Sequence, residues 1–444
     1  MPSRAKRLVI LGGGFGGVYA ALSLEKIFRR DDSIEIVLLS DENFLLFTPM
    51  LPEVPSSSIE AKHIISPLRA FFCKVKFQNS EVRAINLERR TIVVSHCSAC
   101  GERELEFDCL VLALGSVINF YGLPGVVENA LPMKTLSDAM ALRNHVIHVF
   151  EHADLEDDPR MRKAMLTFVV AGGGFAGTET VAELRDFAYP ARRFYANINP
   201  EEVRVVLVHH GGRIMPEIGD RLANYALKKL RARGVEVLLN TGVKSATADW
   251  VELTDGQTIP TRTLVWTAGV SAHPLLARLP FARNKRGQII VNSSLEVPGS
   301  TGVWALGDCA EIPNPRTGHP YPPTAQHAVR EGKIVAQNIA AFVRGGRKRE
   351  FMFRPLGVLA SLGRRSAVAE ICGLRFSGFF AWWLWRTIYL FKLPGLERKV
   401  RVAMDWTLDL FFHRDIVLLK AFMKSNRGEV PAGERTAYRK PVRT

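Results

Sequence analysis

The chain has 444 residues, of which 47% are apolar, so it can bury several cores and is neither fibrous nor intrinsically disordered. Its formal charge of +15 lies mostly in residues 347–444, where 20 basic residues accompany 8 acidic ones. Six cysteines are ordinary usage for a chain of this size and fit a reducing compartment. Two or three domains with a basic C-terminal segment are therefore expected.

The N-terminal residues do not predict a signal peptide. Met1–Arg7 is basic, but Leu8–Leu11 supplies only four apolar residues before a run of glycines. A signal peptide needs a longer apolar core and a cleavage site. No stretch of the chain reaches 18 uncharged apolar residues, so a membrane-spanning helix is not expected either.

The first predicted unit is a strand, a glycine loop, a helix and a second strand. Leu8–Leu11 and Ile34–Leu39 are predicted as strands, and Val18–Ile27 as the helix between them. The loop has the pattern G-x-G-x-x-G, with glycines at Gly12, Gly14 and Gly17. Such a loop lets a pyrophosphate approach the backbone at a helix N-terminus, whose partial positive charge favours the anion.

The following residues, 70–111, alternate apolar and polar side chains and are predicted as antiparallel strands. The last part of this region is different, because Cys109–Leu114 is a continuous apolar run that ends in Gly115. That run predicts a buried strand followed by a glycine turn.

The strand–loop–helix pattern then occurs a second time. Leu166–Val170 and Val203–Val208 are predicted strands, and a helix begins near Thr178. The glycines of this loop are Gly172, Gly174 and Gly177. One such loop is a weak signal, but two in the same context predict two dinucleotide-binding folds, FAD at the first and a nicotinamide nucleotide at the second.

Each fold is expected to have an acid at the end of its second strand, which would bind the ribose hydroxyls. The first fold offers Asp41. The second has His209 and His210 at this place and no acid. Arg213 makes a 2′-phosphate conceivable, but no basic cluster follows the strand directly, and NADH is therefore favoured over NADPH.

The C-terminal segment changes character after about residue 346. Phe376–Leu393 is rich in aromatic residues, with Arg386 and Lys392 among them, and Val400–Lys424 is predicted as an amphipathic helix. Aromatic rings beside long basic side chains suit a lipid headgroup region, which favours a monotopic membrane anchor over a nucleic-acid site. Residues 426–444 are expected to form a flexible tail.

Four segments resemble type II NADH dehydrogenases, the single-subunit NADH:quinone oxidoreductases. The segment LSDENFLLFTPMLPEVP at 39–55 resembles the family's flavin-proximal loop, and GGGFAGTE at 172–179 its nicotinamide loop. The segment GDCA at 307–310 is similar to the second flavin motif, and AQHAVREG at 325–332 to the quinone-site signature. The resemblance extends from residue 7 to about residue 425.

The resemblance implies FAD and NADH as cofactor and substrate, and a hydride transfer from NADH to flavin followed by two-electron reduction of quinone. The expected FAD contacts are Gly12, Gly14, Phe15, Gly17, Asp41, Thr48, Gly115, Asp308, Ala325 and Gln326. The expected NADH contacts are Gly172, Gly174, Gly177, Glu179, His209 and Gly269. The expected catalytic residues are Glu179, Gln326 and Arg330.

Two of these assignments have alternatives. Gln326 is expected to contact the quinone headgroup, since an amide can donate to a quinone carbonyl. The family usually has a second glutamine four residues on, where this chain has Arg330, a cation that can still hydrogen-bond a quinone oxygen. Glu179 matches the family's acid beside nicotinamide and flavin, but an acid near a helix N-terminus also has a purely structural explanation.

The cysteines leave other functions open. Cys97 and Cys100 form a single CxxC, which is too few ligands for a zinc site unless Cys73 and Cys109 join it, and no metal is expected. A redox pair is the other alternative for these two cysteines. Cys309 follows the second flavin motif, so a sulfide:quinone reductase stays possible beside a packing role. A ferredoxin reductase and an apoptosis-inducing-factor-like flavoprotein that binds nucleic acid by its basic tail are further alternatives.

The expected architecture is therefore α/β, with two Rossmann-like domains and a C-terminal amphipathic membrane-associated segment. The FAD domain is expected at 5–130 and 270–345, the NADH domain at 131–269, and the membrane segment at 346–425. A homodimer at the cytoplasmic face of the bacterial inner membrane is expected, with quinone and the membrane surface as partners and without nucleic acid.

Overall fold

The computed structural model describes residues 5–95 and 101–419. Its strands are β1 Lys6–Leu11, β2 Ile34–Ser40, β3 Phe44–Leu46, β4 Ile65–Pro67, β5 Lys76–Asn79, β6 Glu81–Asn86, β7 Thr91–Ser95, β8 Glu102–Glu106, β9 Cys109–Leu112, β10 Ser116–Ile118, β11 Ala130–Pro132, β12 Thr167–Ala171, β13 Arg204–His209, β14 Val235–Leu239, β15 Val243–Ala246, β16 Trp250–Leu253, β17 Thr258–Pro260, β18 Thr263–Trp266, β19 Val270–Ala272, β20 Ile289–Ile290, β21 Val303–Ala305, β22 Ala310–Glu311, β23 Gly357–Ser361, β24 Ala367–Ile371 and β25 Leu374–Gly378. Its α-helices are α1 Phe15–Ile27, α2 Val126–Asn129, α3 Leu136–Ala153, α4 Pro159–Met165, α5 Phe175–Ala191, α6 Asp220–Ala232, α7 Ala325–Arg344, α8 Phe379–Lys392 and α9 Leu396–Phe411.

The chain forms two compact units. The first unit contains residues up to 46, 65–117 and 270–355, and the second contains 47–64, 118–269 and the chain from 356. This division differs from the expected domains, because 47–64 and the C-terminal segment both belong to the second unit. The reason lies in side-chain bonding: Trp406 donates to Glu53, and Ser56 donates to Glu183.

A five-stranded parallel sheet forms the centre of the first unit, in the order β21-β9-β1-β2-β5. Leu8–Leu11 of β1 is fully buried in its core. Residues 70–111 are only partly antiparallel, as β6, β7 and β8 are, because β5 and β9 join the parallel sheet instead. Phe77 of β5 is buried and lies beside Leu38 of β2, which ties β5 to the parallel core.

The second unit repeats this architecture. Its parallel sheet has the order β11-β18-β12-β13-β14, and an antiparallel sheet of β15, β16 and β17 accompanies it. Both sheets place a glycine loop after a central strand, and the expected duplication of a Rossmann-like fold is confirmed.

The C-terminal part of the second unit is an antiparallel sheet of β23, β24 and β25 followed by α8 and α9. The amphipathic helix expected at 400–424 occurs as α9 but ends at Phe411. Beyond the end of this helix, Arg414 pairs with Glu183 at 3.2 Å and with Asp409 at 2.8 Å. Among the described residues, no helix is both long and apolar enough to cross a bilayer. The expected flexible tail, 426–444, lies outside the described residues.

Candidate dinucleotide sites and a buried carboxyl cluster

The first glycine loop lies at the carboxyl edge of the first sheet, between β1 and α1. Gly12 has φ +111°, which suits glycine, and its N–H donates to Leu39 at 2.8 Å. A Cβ added at Gly17 would overlap the carbonyl oxygen of Gly12. A Cβ at Gly14 would meet no protein atom within 4 Å, so an open cradle lies in front of α1, which Phe15 begins. This geometry fits a dinucleotide pyrophosphate.

Asp308 lies at the same edge of the sheet, in a short turn after β21. Ser116, the first residue of β10, donates its hydroxyl to Asp308 Oδ2 at 2.7 Å. Gly307 donates its N–H to Glu331 Oε2 on α7 at 2.8 Å. Burial raises the pKa of Glu331 to about 8, and Asp308 adds to the effect. Hydrogen bonds to Ser116 and to Glu331 thus fix this turn, and the Asp308 carboxylate can accept hydrogen bonds from sugar hydroxyls.

Asp41 follows β2, and Ser40 is the last residue of that strand. One Asp41 carboxyl oxygen accepts the N–H of Glu42 at 3.0 Å, and Asn79 donates to the Asp41 carbonyl at 2.7 Å. Asp41 is exposed, so its carboxylate can bind ribose hydroxyls. The first unit therefore places Asp41, Asp308 and the glycine loop at one edge of one sheet.

Helix α7 begins at Ala325, so Ala325 and Gln326 form its first turn. Arg330 lies one turn further on, donates to the Gln326 carbonyl at 2.8 Å, and places its guanidinium 4.1 Å from the centre of the Phe353 ring. Burial lowers the pKa of Arg330. Gly332 packs so closely on α1 that a Cβ there would crowd the backbone at Gly16. Residues 325–332, which resemble the quinone-site signature, thus lie in the unit that carries the first glycine loop.

The second glycine loop has the geometry of the first. Gly172 has φ +110°, and a Cβ added at Gly177 would overlap its carbonyl oxygen. A Cβ at Gly174 would again meet nothing within 4 Å, and α5 begins at the next residue. Gly269 follows β18 with φ +117°, where a Cβ would overlap the Tyr121 side chain.

His209 is the last residue of β13 and is buried. Its Nδ1 accepts the N–H of Gly173 at 3.1 Å. Burial lowers the pKa of His209, and the neighbouring His210 lowers it further. The ring therefore takes part in the loop as a neutral acceptor.

Glu179 lies on α5, one turn after the second glycine loop, and is only 8% exposed. Its Oε1 accepts the backbone N–H of Ser361 at 2.9 Å. Burial, with smaller contributions from the nearby carboxyls of Glu53 and Glu183, raises the pKa of Glu179 to about 8. At neutral pH the carboxyl therefore holds a proton.

Two further buried carboxyls, Glu53 and Glu183, accompany Glu179, and neither is among the site residues expected from the sequence. Glu53 Oε2 accepts the indole N–H of Trp406 at 2.7 Å, and burial raises the pKa of Glu53 to about 7. Glu183 accepts the Ser56 hydroxyl at 2.7 Å and pairs with Arg414 at 3.2 Å. The sequence feature that could have indicated Glu183 is its spacing from Glu179, because residues four apart lie on the same face of a helix.

Comparison with known proteins agrees with this geometry. Residues 6–332 match the pyridine nucleotide-disulphide oxidoreductase family, and residues 356–415 match the NDH2 C-terminal domain. A probable NADH dehydrogenase of Dictyostelium discoideum is 33% identical, over 93% of this chain and 91% of that protein. The chain belongs to the type II NADH dehydrogenase family.

Two other relatives agree with this membership. The type II NADH:quinone oxidoreductase Ndh of Mycobacterium tuberculosis is 29% identical over 98% of this chain and 92% of that protein. The structure of Plasmodium falciparum NDH2 in complex with NADH has the same fold, with a TM-score of 0.86 and 19% identity over 93% of this chain and all of that one. The expected fold class, the NADH dehydrogenase activity and the cofactors FAD and NADH are confirmed.

Two further residues that the sequence singles out, Thr48 and Cys309, have these positions in this type II NADH dehydrogenase. Thr48 begins a short 3-10 helix, Thr48–Glu53, and belongs to the second unit, whereas the other expected FAD contacts belong to the first. Cys309 is fully buried, its thiol lies 3.2 Å from the Leu112 carbonyl, and burial raises its pKa to about 12. A thiol this inert supports packing instead of sulfide chemistry.

No cluster of three metal-ligating side chains occurs in residues 5–95 and 101–419. Cys97 and Cys100 lie outside those ranges.

Proposed function

We propose that this chain transfers a hydride from NADH to FAD and then two electrons to a membrane quinone. The observation that carries the quinone half is the start of α7, where Gln326 and Arg330 lie in the same unit as the first glycine loop. Bound FAD supplies the redox chemistry, taking a hydride and passing on its electrons, while the protein positions the substrates.

In this proposal the first unit binds FAD and the second binds NADH. The α1 N-terminus receives the FAD pyrophosphate, and Asp41 and Asp308 accept hydrogen bonds from its sugar and ribityl hydroxyls. Gly172, Gly174 and Gly177 receive the NADH pyrophosphate at α5, and Gly269 lies at the carboxyl edge of the same sheet. The family resemblance also implies that Thr48 contacts the flavin, and the proposal includes that contact.

The catalytic side chains act by position and charge. Gln326 donates its amide to a quinone carbonyl, and Arg330 stabilises negative charge on the reduced quinone oxygen. Glu179, protonated at neutral pH, is suited to giving up a proton where charge develops. Glu53, whose pKa burial also raises, is a second buried carboxyl in the same unit.

Apolar side chains exposed along α8 and α9 support attachment to a membrane surface. Exposures of 50% or more occur at Phe379, Phe380, Trp383, Phe391, Leu396, Val400, Met404, Leu408 and Phe411. Apolar surface of this extent on two adjacent helices is unusual for a protein face in water. We place the enzyme on the cytoplasmic face of the bacterial inner membrane, which fractionation of spheroplasts tests. We also propose that it is a homodimer, which light scattering tests.

Four of the seven aromatic residues of α8 contribute to this exposed surface, namely Phe379, Phe380, Trp383 and Phe391. Trp382 and Trp385 are buried, and Arg386 stacks between the rings of Trp382 and Trp406 at 4.2 and 4.7 Å. Deleting the helix would therefore open the protein interior, and single surface substitutions test attachment better.

The deciding experiment uses the purified, flavin-loaded protein. NADH oxidation is measured with a quinone, with a water-soluble dye, with ferredoxin, and with sulfide in place of NADH. Quinone-dependent NADH oxidation is expected. Turnover with the dye but with no quinone would contradict the proposal, and sulfide- or ferredoxin-dependent turnover would favour the alternatives. If the protein does not retard DNA in a gel, lipid is favoured over nucleic acid as the partner of its basic C-terminal segment.

A further inference from the structure

The second glycine loop has a histidine where a ribose-binding carboxylate usually lies. In NADH-binding Rossmann folds an acid at the end of the second strand accepts the ribose 2′-hydroxyl. Here Gly172 donates its N–H to Val208 at 2.9 Å, so the next residue, His209, lies beside Gly173. His209 is therefore at the discriminating position.

The His209 ring is enclosed and uncharged. Because Nδ1 accepts the Gly173 N–H, the ring proton lies on Nε2. A Cβ added at Gly173 would lie 2.7 Å from the ring, and one at Gly211 would lie 3.0 Å from Nε2. The side chain is thus held between two glycines and is only 7% exposed.

Among the described residues, the segment that directly follows β13 has no carboxylate to replace the missing acid. Residues 209–216 contain neither Asp nor Glu. The next acids are Glu217, which is exposed, and Asp220, which is ion-paired with Arg213. Arg213 also donates to the Pro216 carbonyl at 2.7 Å, so its guanidinium has two partners in residues 216–220. The strand end therefore offers neither a strong acceptor for a 2′-hydroxyl nor a negative charge.

We propose that this chain oxidises NADPH as well as NADH, because His209 removes the carboxylate that would otherwise repel a 2′-phosphate. The inference rests on the proposed hydride transfer from a nicotinamide nucleotide. NADPH gives up the same hydride from C4 of its nicotinamide, with two electrons and one proton, and leaves as NADP⁺. The reaction balances as it does with NADH, and no further reactant is needed.

Equilibrium binding tests this inference without turnover. NAD⁺ and NADP⁺ are titrated into the flavin-loaded protein by calorimetry at neutral pH, where bound FAD keeps both from the first site. The two dissociation constants are expected to differ by less than about tenfold, because like-charge repulsion of the phosphate is absent. His209→Glu restores a carboxylate and is expected to weaken NADP⁺ relative to NAD⁺ by about 100-fold.

His209→Gln is the matched control, since it keeps a neutral acceptor for the Gly173 N–H. It is expected to keep the wild-type ratio of the two affinities. NADP⁺ binding more than about tenfold weaker than NAD⁺ in the wild-type protein would overturn the inference, as would an unchanged ratio in His209→Glu. The wild-type comparison decides even if the glutamate variant loses its flavin. This titration involves no quinone, so its outcome does not depend on whether the quinone assay succeeds.

Discussion

The backbone N–H of Ser361 donates to the carboxyl of Glu179 at 2.9 Å, so the C-terminal sheet directly contacts the acid of the second glycine-loop helix. Burial of the Tyr389 hydroxyl beside the same carboxyl raises the pKa of that tyrosine. The C-terminal part of the chain thus has two faces with different tasks. One face contacts Glu179, and the other carries the exposed apolar side chains.

Protonation of Glu179 predicts a pH-dependent stability. Its pKa is about 8 in the folded protein, compared with 4.5 for an ordinary glutamate, so the native state binds more protons between these values. The stabilising contribution is full below about pH 4.5 and is lost as the pH rises through about 8. Glu179→Gln cannot ionise, and its melting temperature should fall less over this range. Parallel Tm profiles of variant and wild type, measured calorimetrically, would contradict the raised pKa.

Substitutions at two glycines of the second loop should affect folding and NADH binding differently. Gly177→Ala would overlap the Gly172 carbonyl, and such overpacking costs about 1–3 kcal/mol of folding free energy. Gly174→Ala meets no protein atom, so it should fold and hold FAD normally. Its methyl group would still block the approach of a pyrophosphate, which should weaken NADH binding. Thermal unfolding and NADH titration check the pair, and wild-type NADH affinity in Gly174→Ala would refute the site.

Glu331 should control FAD retention through Gly307. Glu331→Gln keeps a neutral acceptor for the Gly307 N–H and is expected to hold as much flavin as the wild type. Glu331→Leu leaves that N–H without its partner, which costs about 1–3 kcal/mol and weakens FAD binding roughly 10- to 100-fold. The flavin-to-protein absorbance ratio after gel filtration measures the difference. Equal flavin content in both variants would show that this bond does not shape the site.

Gln326 should affect the quinone step more than the NADH step. A lost amide–carbonyl bond is worth about 0.5–1.5 kcal/mol, so Gln326→Ala should lower kcat/KM for quinone about two- to tenfold. Flavin reduction by NADH, followed by stopped flow without quinone, should change little. Gln337→Ala is the control, because Gln337 is exposed on the same helix. Equal losses in both half-reactions would contradict the assigned role.

Exposed aromatic residues of α8 should determine vesicle binding. Phe379 is 62% exposed and Trp383 50% exposed. Burying the rest of such a side chain in lipid is worth about 1 kcal/mol, so Phe379→Glu or Trp383→Glu should weaken binding about fivefold or more. Leu155→Glu is the control, since Leu155 is 80% exposed outside these helices. Sedimentation with anionic phospholipid vesicles measures the effect, and similar losses in all three variants would argue against a specific docking face.

The amino-acid sequence by itself determined the two glycine loops, their order and the strand–helix units around them. These features are local, because Gly12 and Gly172 need a positive φ and Gly17 and Gly177 need the absence of a Cβ, and each requirement concerns a few neighbouring residues. The same locality made the family motifs recognisable.

Only the tertiary structure decided the protonation and orientation of the site. Glu53, Glu179 and Arg414 come from distant parts of the chain, and their charges depend on which groups are buried beside them. Likewise, α8 has aromatic residues on nearly every side, so its pattern alone does not say that Trp385 faces inward and Trp383 outward. Burial is a property of the packed whole, and no short segment carries it.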